Sequence, residues 1–159
     1  MKLSTRTRHG VRALLDLALQ GNEGPIRLRE IAQRQQISLL YLEHLIAPLI
    51  ASGIMRSTRG ARGGVWLAKS PLEIKLSEVI RLLQGSIVLV KCISNPEICP
   101  RSDSCVTRDV WAELEGIINR VLGSITLQDL VNRYREREHS GEIIYHGKSL
   151  LSILKEGNR

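Results

Sequence analysis

Apolar residues recur at helical spacing along most of this 159-residue chain, which predicts a mainly α-helical fold. Helices are predicted over residues 3–20, 28–36, 38–53, 76–85, 104–122 and 127–135. Two short β-prone runs, residues 54–58 and 65–68, flank a turn that is rich in glycine and arginine. We therefore expect a mainly α fold with one small β-hairpin.

The second and third predicted helices are joined by a short polar turn, as in a helix-turn-helix or in an ordinary helical hairpin. In a helix-turn-helix the third helix would offer these side chains to the major groove of DNA: Ser38, Leu40, Tyr41, Glu43 and His44. The hairpin that follows carries Arg59 and Arg62 at its tip, where arginines suit a narrow minor groove. The order of elements predicts a winged helix-turn-helix. Pro48 is expected to bend the third helix beyond these residues.

The net charge of +7 is confined to one part of the chain. Residues 1–70 hold 11 Lys and Arg against 4 Asp and Glu, whereas residues 71–159 hold 12 of each. A one-sided basic region favours a polyanionic partner such as double-stranded DNA. No apolar run approaches the roughly 20 residues that cross a bilayer, so we expect a cytoplasmic protein without a membrane partner.

The three cysteines, Cys92, Cys99 and Cys105, all fall within one polar segment of fourteen residues. Their C-x6-C-x5-C spacing lacks the C-x2-C pairs of zinc ribbons and bacterial ferredoxins. The segment is predicted to be one loop that offers three thiolates to a soft metal centre, with a fourth ligand from elsewhere. Two alternatives stay open: one disulfide with a free thiol, and a structural zinc ion completed by His139 or His146.

A long helix, residues 104–122, is predicted directly after this loop, and its apolar stripe repeats by heptads. Val110 and Ile117 are seven residues apart, as are Leu114 and Val121. We favour a dimerisation helix over a core helix of a second domain. The predicted organisation is a winged DNA-binding domain at 1–85, a cluster-binding loop at 86–105, dimerisation helices at 106–136 and a tail at 137–159.

Several of these segments together resemble one family, the winged-helix iron–sulfur regulators typified by IscR and NsrR. They are MKLSTRTRHGVRALLDLA, ISLLYLEHL, STRGARGG, residues 92–105, CVTRDVWAEL and SITLQDLV. The resemblance covers residues 1–135 and leaves the tail unmatched. It implies a homodimer on palindromic promoter DNA, contacted by residues 38–47 and Arg59. It also implies an iron–sulfur cluster on Cys92, Cys99 and Cys105, and its IscR-like character favours 2Fe–2S over 4Fe–4S.

The sequence departs from this family at the fourth ligand. IscR-like members often carry a histidine three residues after the last cysteine, where this chain has Arg108. NsrR-like members use an aspartate at the position of Arg8. An arginine does not ligate iron, because it stays protonated. The candidates that remain are His9 from the partner subunit, Asp103, Asp109 or a small exogenous ligand.

These expectations together describe a homodimeric DNA-binding transcriptional regulator, a repressor, that senses iron–sulfur, redox or nitric-oxide status. Two other classes remain open: a DNA-binding protein with a structural zinc site, and an iron–sulfur electron carrier. The chain has no nucleotide-binding fingerprint and no evident base–nucleophile pairing. We therefore expect neither enzymatic activity nor a small-molecule substrate.

Overall fold

The computed structural model describes residues 3–21, 24–60 and 63–140, and it confirms a mainly helical fold with a small β-wing. The helices are α1 (Thr5–Leu19), α2 (Leu28–Gln35), α3 (Leu39–Ala51), α4 (Leu76–Gln84), α5 (Lys91–Ser94), α6 (Val106–Ser124) and α7 (Leu127–His139). The strands are β1 (Met55–Thr58) and β2 (Gly64–Leu67). Within these described ranges, every helix is too short or too polar to cross a membrane.

The core lies between α1 and the elements that pack around it. Ser4 caps α1 by accepting the Thr7 N–H at 3.0 Å, so the helix begins where a polar side chain satisfies its first donors. Buried apolar residues from α1, α2, α3, both strands, α4 and α7 form one cluster. The members from α1 are Ala13, Leu14 and Leu17.

A buried ion pair fixes α1 to α2. Asp16 lies on the buried face of α1 with 2% of its surface exposed, and a carboxylate there requires partners. Arg34 supplies them through Nε at 2.9 Å and Nη2 at 2.7 Å, and the Gln35 side-chain amide donates at 3.2 Å. This polar contact therefore joins α2 to the buried face of α1.

The turn between α2 and α3 and the end of α3 each contain one residue with a positive φ. Gln36 adopts a left-handed conformation with φ 55°, and Ser38 then caps α3 by accepting the Tyr41 N–H at 3.2 Å. Gly53, with φ 74°, ends α3, where the Ile54 N–H bonds to the Leu49 carbonyl at 3.0 Å. These turns produce the helix-turn-helix predicted from the sequence.

Pro48 lies inside α3, and the helix continues through it to Ala51. A proline at this position leaves the carbonyl of His44 without its helical N–H donor. The guanidinium of Arg6 lies 3.5 Å from that carbonyl oxygen, at the long limit of a hydrogen bond. Arg6 therefore supplies a weak replacement for the missing donor and links α1 to the first half of α3.

The wing is anchored at its base. Strands β1 and β2 pair antiparallel, with Met55 opposite Leu67. Ile26, ahead of α2, forms a further bridge, because its N–H and carbonyl bond to Val65 at 2.9 and 2.8 Å. Since Val65 is buried, the hairpin is attached to the core at this point.

Helix α7 packs into the same core as α1. The segment before α4 pairs with the segment before α7, through Leu76 N–H to Ile125 O at 2.9 Å and Leu127 N–H to Ile74 O at 2.8 Å. Leu127 is buried in the core cluster. The chain therefore leaves the winged core after α4, forms the cysteine loop and α6, and returns at α7. The predicted tail lies largely outside the described residues, which end at 140.

Candidate DNA-binding face and cysteine loop

The first turns of α3 present most of the predicted DNA-reading side chains to solvent. Ser38, Leu40, Glu43 and His44 are exposed, and Leu40, with 66% of its surface exposed, is apolar among polar neighbours. Tyr41 differs from the others, because it is half-buried. Four of the five predicted residues are thus available to a groove-bound partner.

Tyr41 packs edge-on against His9 of α1, with ring centroids 5.7 Å apart and an interplanar angle of 83°. The Nδ1 atom of His9 is buried, with no hydrogen-bond partner among the described residues. Burial lowers the pKa of His9, and the nearby cations Arg12 and Arg8 lower it further. A neutral imidazole is therefore favoured at this contact between α1 and the recognition helix α3.

The structure describes only one of the two predicted wing arginines. Arg59 is exposed at the end of β1, on the wing tip. Arg62 lies outside the described residues. Sequence reasoning did not include Arg6 in the DNA-binding set, although its bond to the His44 carbonyl places it at α3. These two residues are 38 apart, so no periodic signal joins them.

The cysteine loop is built from short turns rather than from irregular chain. Cys92 lies in α5, and two 3-10 turns, Pro96–Ile98 and Ser102–Ser104, precede Cys99 and Cys105 respectively. All three thiols are partly exposed, and none forms a disulfide. Cys105 is the N-terminal cap residue of α6, so the loop ends where α6 begins.

The Cys105 thiol has a local partner that favours its ionised form. Its Sγ lies 3.2 Å from Oγ1 of Thr107. The Thr107 hydroxyl, and then the Arg108 backbone N–H, lower the pKa of the thiol. A thiolate is the form that ligates metals, so the lowered pKa of Cys105 is compatible with a role as a ligand.

Arg108, at the position of the expected histidine ligand, is directed at the loop backbone. Its Nε donates to the carbonyl of Cys92 at 3.0 Å, and its Nη1 donates to the carbonyl of Ser102 at 3.2 Å. The carboxylate candidates Asp103 and Asp109 are exposed. Sequence reasoning excluded Arg108 as a ligand but did not foresee this structural role.

Three free thiols on one loop are soft ligands of the kind that hold an iron–sulfur cluster or a zinc ion. Within residues 3–21, 24–60 and 63–140, no three His, Cys, Asp or Glu side chains lie close enough to share one metal ion. Of the two histidines in the zinc alternative, His139 lies within these ranges and His146 lies outside them. In a cluster each iron takes its own thiolates, so three thiols on one loop suit it without meeting at one point.

Helix α6 exposes a continuous apolar stripe, which consists of Val106, Val110, Leu114, Ile117 and Val121. Their exposed fractions are 76, 51, 40, 43 and 51%. Trp111 lies beside the stripe and is 41% exposed. None of the 19 residues of α6 is buried. The side of α6 that contacts α4 is only partly covered, and the stripe has no cover from the described chain.

Comparison with known proteins supports the arrangement of these elements. A family model named Rrf2, described as an iron-dependent transcriptional regulator, matches residues 3–133. The chain belongs to the Rrf2 family. It is 43% identical over 131 residues to the protein rrf2 of Nitratidesulfovibrio vulgaris, covering 82% of this chain and 87% of the relative. Rrf2 members are transcriptional regulators, so a regulatory rather than an enzymatic role is confirmed, and binding to DNA is implied.

Two solved Rrf2-type structures share the fold. T. potens IscR has a TM-score of 0.69 and 40% identity, covering 86% of this chain and 90% of that chain. CymR, the global cysteine regulator of B. subtilis, has a TM-score of 0.71 and 34% identity, covering 84% and 98%. The shared fold does not identify the signal, which has to be argued from the cysteine loop of this chain.

Proposed function

We propose that this chain is a cytoplasmic, homodimeric repressor that binds promoter DNA and senses iron–sulfur, redox or nitric-oxide status through Cys92, Cys99 and Cys105. The observation that carries the proposal is the junction at residues 105–106. There a loop with three unpaired thiols leads directly into a helix whose apolar stripe is uncovered. A sensing segment and an association surface thus adjoin each other in the chain.

A second copy of this chain is the partner that best suits the α6 stripe. The stripe runs with spacings of four, four, three and four residues, so two such helices can pack with alternating knobs and holes. A twofold axis makes the same surface complementary to itself. One winged domain contacts one DNA half-site, and a dimer would place two recognition helices on half-sites about one helical turn apart.

The thiols of the loop are proposed to hold the cluster, with 2Fe–2S favoured over 4Fe–4S. Bound there, the cluster would supply a centre that oxygen, nitric oxide or iron starvation can remove. The proposed fourth ligand is His9 of the partner subunit or a small exogenous molecule. The neutral imidazole favoured at His9 is compatible with ligation, since only an unprotonated ring nitrogen binds metal.

Sequence reading is proposed to involve Leu40 and Glu43, which are exposed in the first turns of α3. An apolar side chain exposed on a groove-facing turn suits the C5-methyl group of thymine. The Glu43 carboxylate repels phosphate, but it can accept a hydrogen bond from the amino group of cytosine. The wing residues Arg59 and Arg62 are proposed to contribute electrostatic and minor-groove contacts to DNA.

The first test is the metal and sulfide content of protein purified without oxygen, together with its visible absorption spectrum. We expect iron with an equivalent amount of sulfide and absorption bands in the visible, and the stoichiometry distinguishes two irons from four. DNA binding is then compared before and after exposure to air. Zinc without sulfide would contradict cluster sensing and leave a DNA-binding protein with a structural metal.

The reading of bases is tested on sequences selected from a random duplex library. Replacing single thymines by deoxyuridine removes only the methyl group, so wild type should lose affinity at one position in each half-site. Leu40→Ala should be insensitive to the same replacement, and Glu43→Ala should lose discrimination at one base pair. Unchanged preferences in both variants would overturn these assignments without affecting DNA binding itself.

A further inference from the structure

Two residues bond to the backbone carbonyls of all three cysteines. The Nε of Arg108 donates to Cys92 at 3.0 Å, and the N–H of Ser102 donates to Cys99 at 3.0 Å. The backbone N–H of Arg108 donates to Cys105, also at 3.0 Å. The cysteine positions are therefore linked by hydrogen bonds in which no thiol takes part.

Arg108 and Ser102 are also bonded to each other, which makes the set continuous. Nη1 of Arg108 reaches the Ser102 carbonyl at 3.2 Å. Ser102 is 5% exposed, and its hydroxyl donates to the carbonyl of Pro96 at 2.7 Å. Bonds from a guanidinium to carbonyls are stronger than bonds between neutral groups, and a planar guanidinium can reach two acceptors at once. Because Arg108 lies in the first turn of α6, the same bonds fix the loop to α6.

We propose that Arg108 and Ser102 are positioning residues that keep residues 92–105 folded whether or not a metal group is bound. For the metal-bound state of the loop, this proposal rests on the proposed function. For the metal-free state, it rests only on the hydrogen bonds described above. Loss of the group would then leave the loop ordered. The signal to the dimer would pass through the thiols and whatever they bind, rather than through unfolding of the loop.

Hydrogen exchange of the full-length protein tests this proposal. Backbone amides of residues 92–105 are followed in protein purified without oxygen and in the same protein stripped with a chelator. In wild type, stripping should change their exchange by less than about threefold. In stripped Arg108→Ala the same amides should exchange roughly tenfold faster or more, because two charge-assisted bonds are lost. Arg101→Ala, at an exposed arginine of the same loop, is the matched control and should behave as wild type.

Amides of α3 report in the same experiment whether each variant has kept its winged core. If the α3 amides of Arg108→Ala also exchange rapidly, the variant has lost its fold. Loop exchange in stripped Arg108→Lys and Ser102→Ala is then compared with that in stripped wild type. A lysine keeps the charge but cannot reach both carbonyls, so it should show an intermediate effect. Rapid exchange of the loop in stripped wild type, or wild-type exchange in the Arg108 variants, would overturn the proposal. Failure to take up iron would contradict the proposed function and leave the comparison among stripped proteins intact.

Discussion

Helices α1 and α6 differ sharply in how the rest of the chain covers them. Six of the 15 residues of α1 are buried, including the charged Asp16, whereas none of the 19 residues of α6 is. Burial of apolar surface is the main stabilising term for a helix in a protein, since propensity alone supports long isolated helices poorly. The winged part of the chain thus contains its own core, whereas the described residues leave α6 without comparable cover.

The cysteine loop, between these two regions, is stabilised in a third way. Among residues 92–105 only Ser102 is buried, and the turns are held by hydrogen bonds to backbone carbonyls. Such bonds fix the backbone geometry of the loop with little apolar burial. Each contributes only about 1 kcal/mol to the free energy of unfolding. We therefore expect substitutions of buried polar residues in the winged core to lower the stability of the chain strongly. Substitutions on the α6 stripe should instead weaken the proposed dimer.

The largest expected effect on stability is at the buried ion pair. Arg34→Ala leaves the Asp16 carboxylate, with 1% of its side chain exposed, without its bidentate partner. Removing one member of a buried pair costs about 3–5 kcal/mol. We expect a decrease of that size in the free energy of unfolding, measured by urea denaturation.

Arg29→Ala is the matched control, because Arg29 lies on the same helix and is exposed. Its stability should change by no more than about 0.5 kcal/mol. Equal stability of Arg34→Ala and Arg29→Ala would show that the winged core does not depend on this pair.

The next largest effect concerns association through α6. Leu114→Glu places a charge at the centre of the apolar stripe, where Leu114 is 40% exposed in the isolated chain. Burying that charge in a dimer is costly, so dimerisation should weaken by at least about a hundredfold. Sedimentation velocity over a range of concentrations measures the change.

Ala112→Glu adds the same charge at an exposed position of α6 outside the stripe, and this variant should remain dimeric. The two variants should have similar stabilities of the winged core, since α6 has no buried residue. If the wild-type chain is monomeric at all concentrations, the proposed dimerisation through α6 is wrong.

The sequence was sufficient for the elements whose apolar residues repeat over several turns. Helix α2 was predicted at 28–36 and is Leu28–Gln35, and α7 was predicted at 127–135 and begins at Leu127. The stripe on α6 also follows directly from heptad spacing. These features depend on local periodicity, which one sequence contains in full.

The contacts that escaped prediction join residues without any periodic relation. The bridge from Ile26 to Val65 involves one residue on each side, which is too short for an alternating pattern. The bond from Arg108 to the Cys92 carbonyl spans 16 residues and ends on a backbone atom, so side-chain patterns do not encode it. Tertiary packing, which a sequence does not display, determines both contacts.

A smaller difference between the two regions appears when glycines are replaced by alanine. At Gly64 a Cβ atom would lie 2.5 Å from the Ile26 carbonyl oxygen, so Gly64→Ala should disturb the wing anchor and cost about 1–3 kcal/mol. At Gly116, within α6, a Cβ atom would meet nothing within 4 Å. Gly116→Ala should therefore stabilise the chain by about 0.5–1 kcal/mol, through helix propensity. Thermal unfolding of both variants checks the opposite signs, and equal shifts would contradict the comparison.

The smallest effect belongs to the cap of α7, where the chain returns from α6 to the winged core. The backbone N–H and then the hydroxyl of Thr126 lower the pKa of Asp129, each with a bond of 2.8 Å. A carboxylate whose pKa is lowered by folding stabilises the protein above its unfolded pKa of roughly 4, and this stabilisation is lost as pH falls through the folded value. The difference in melting temperature between wild type and Asp129→Asn should therefore be greatest near neutral pH and shrink below about pH 4. A difference that stays constant down to pH 3 would mean that the ionised carboxylate does not hold α7 against the core, and that apolar burial of Leu127 suffices there.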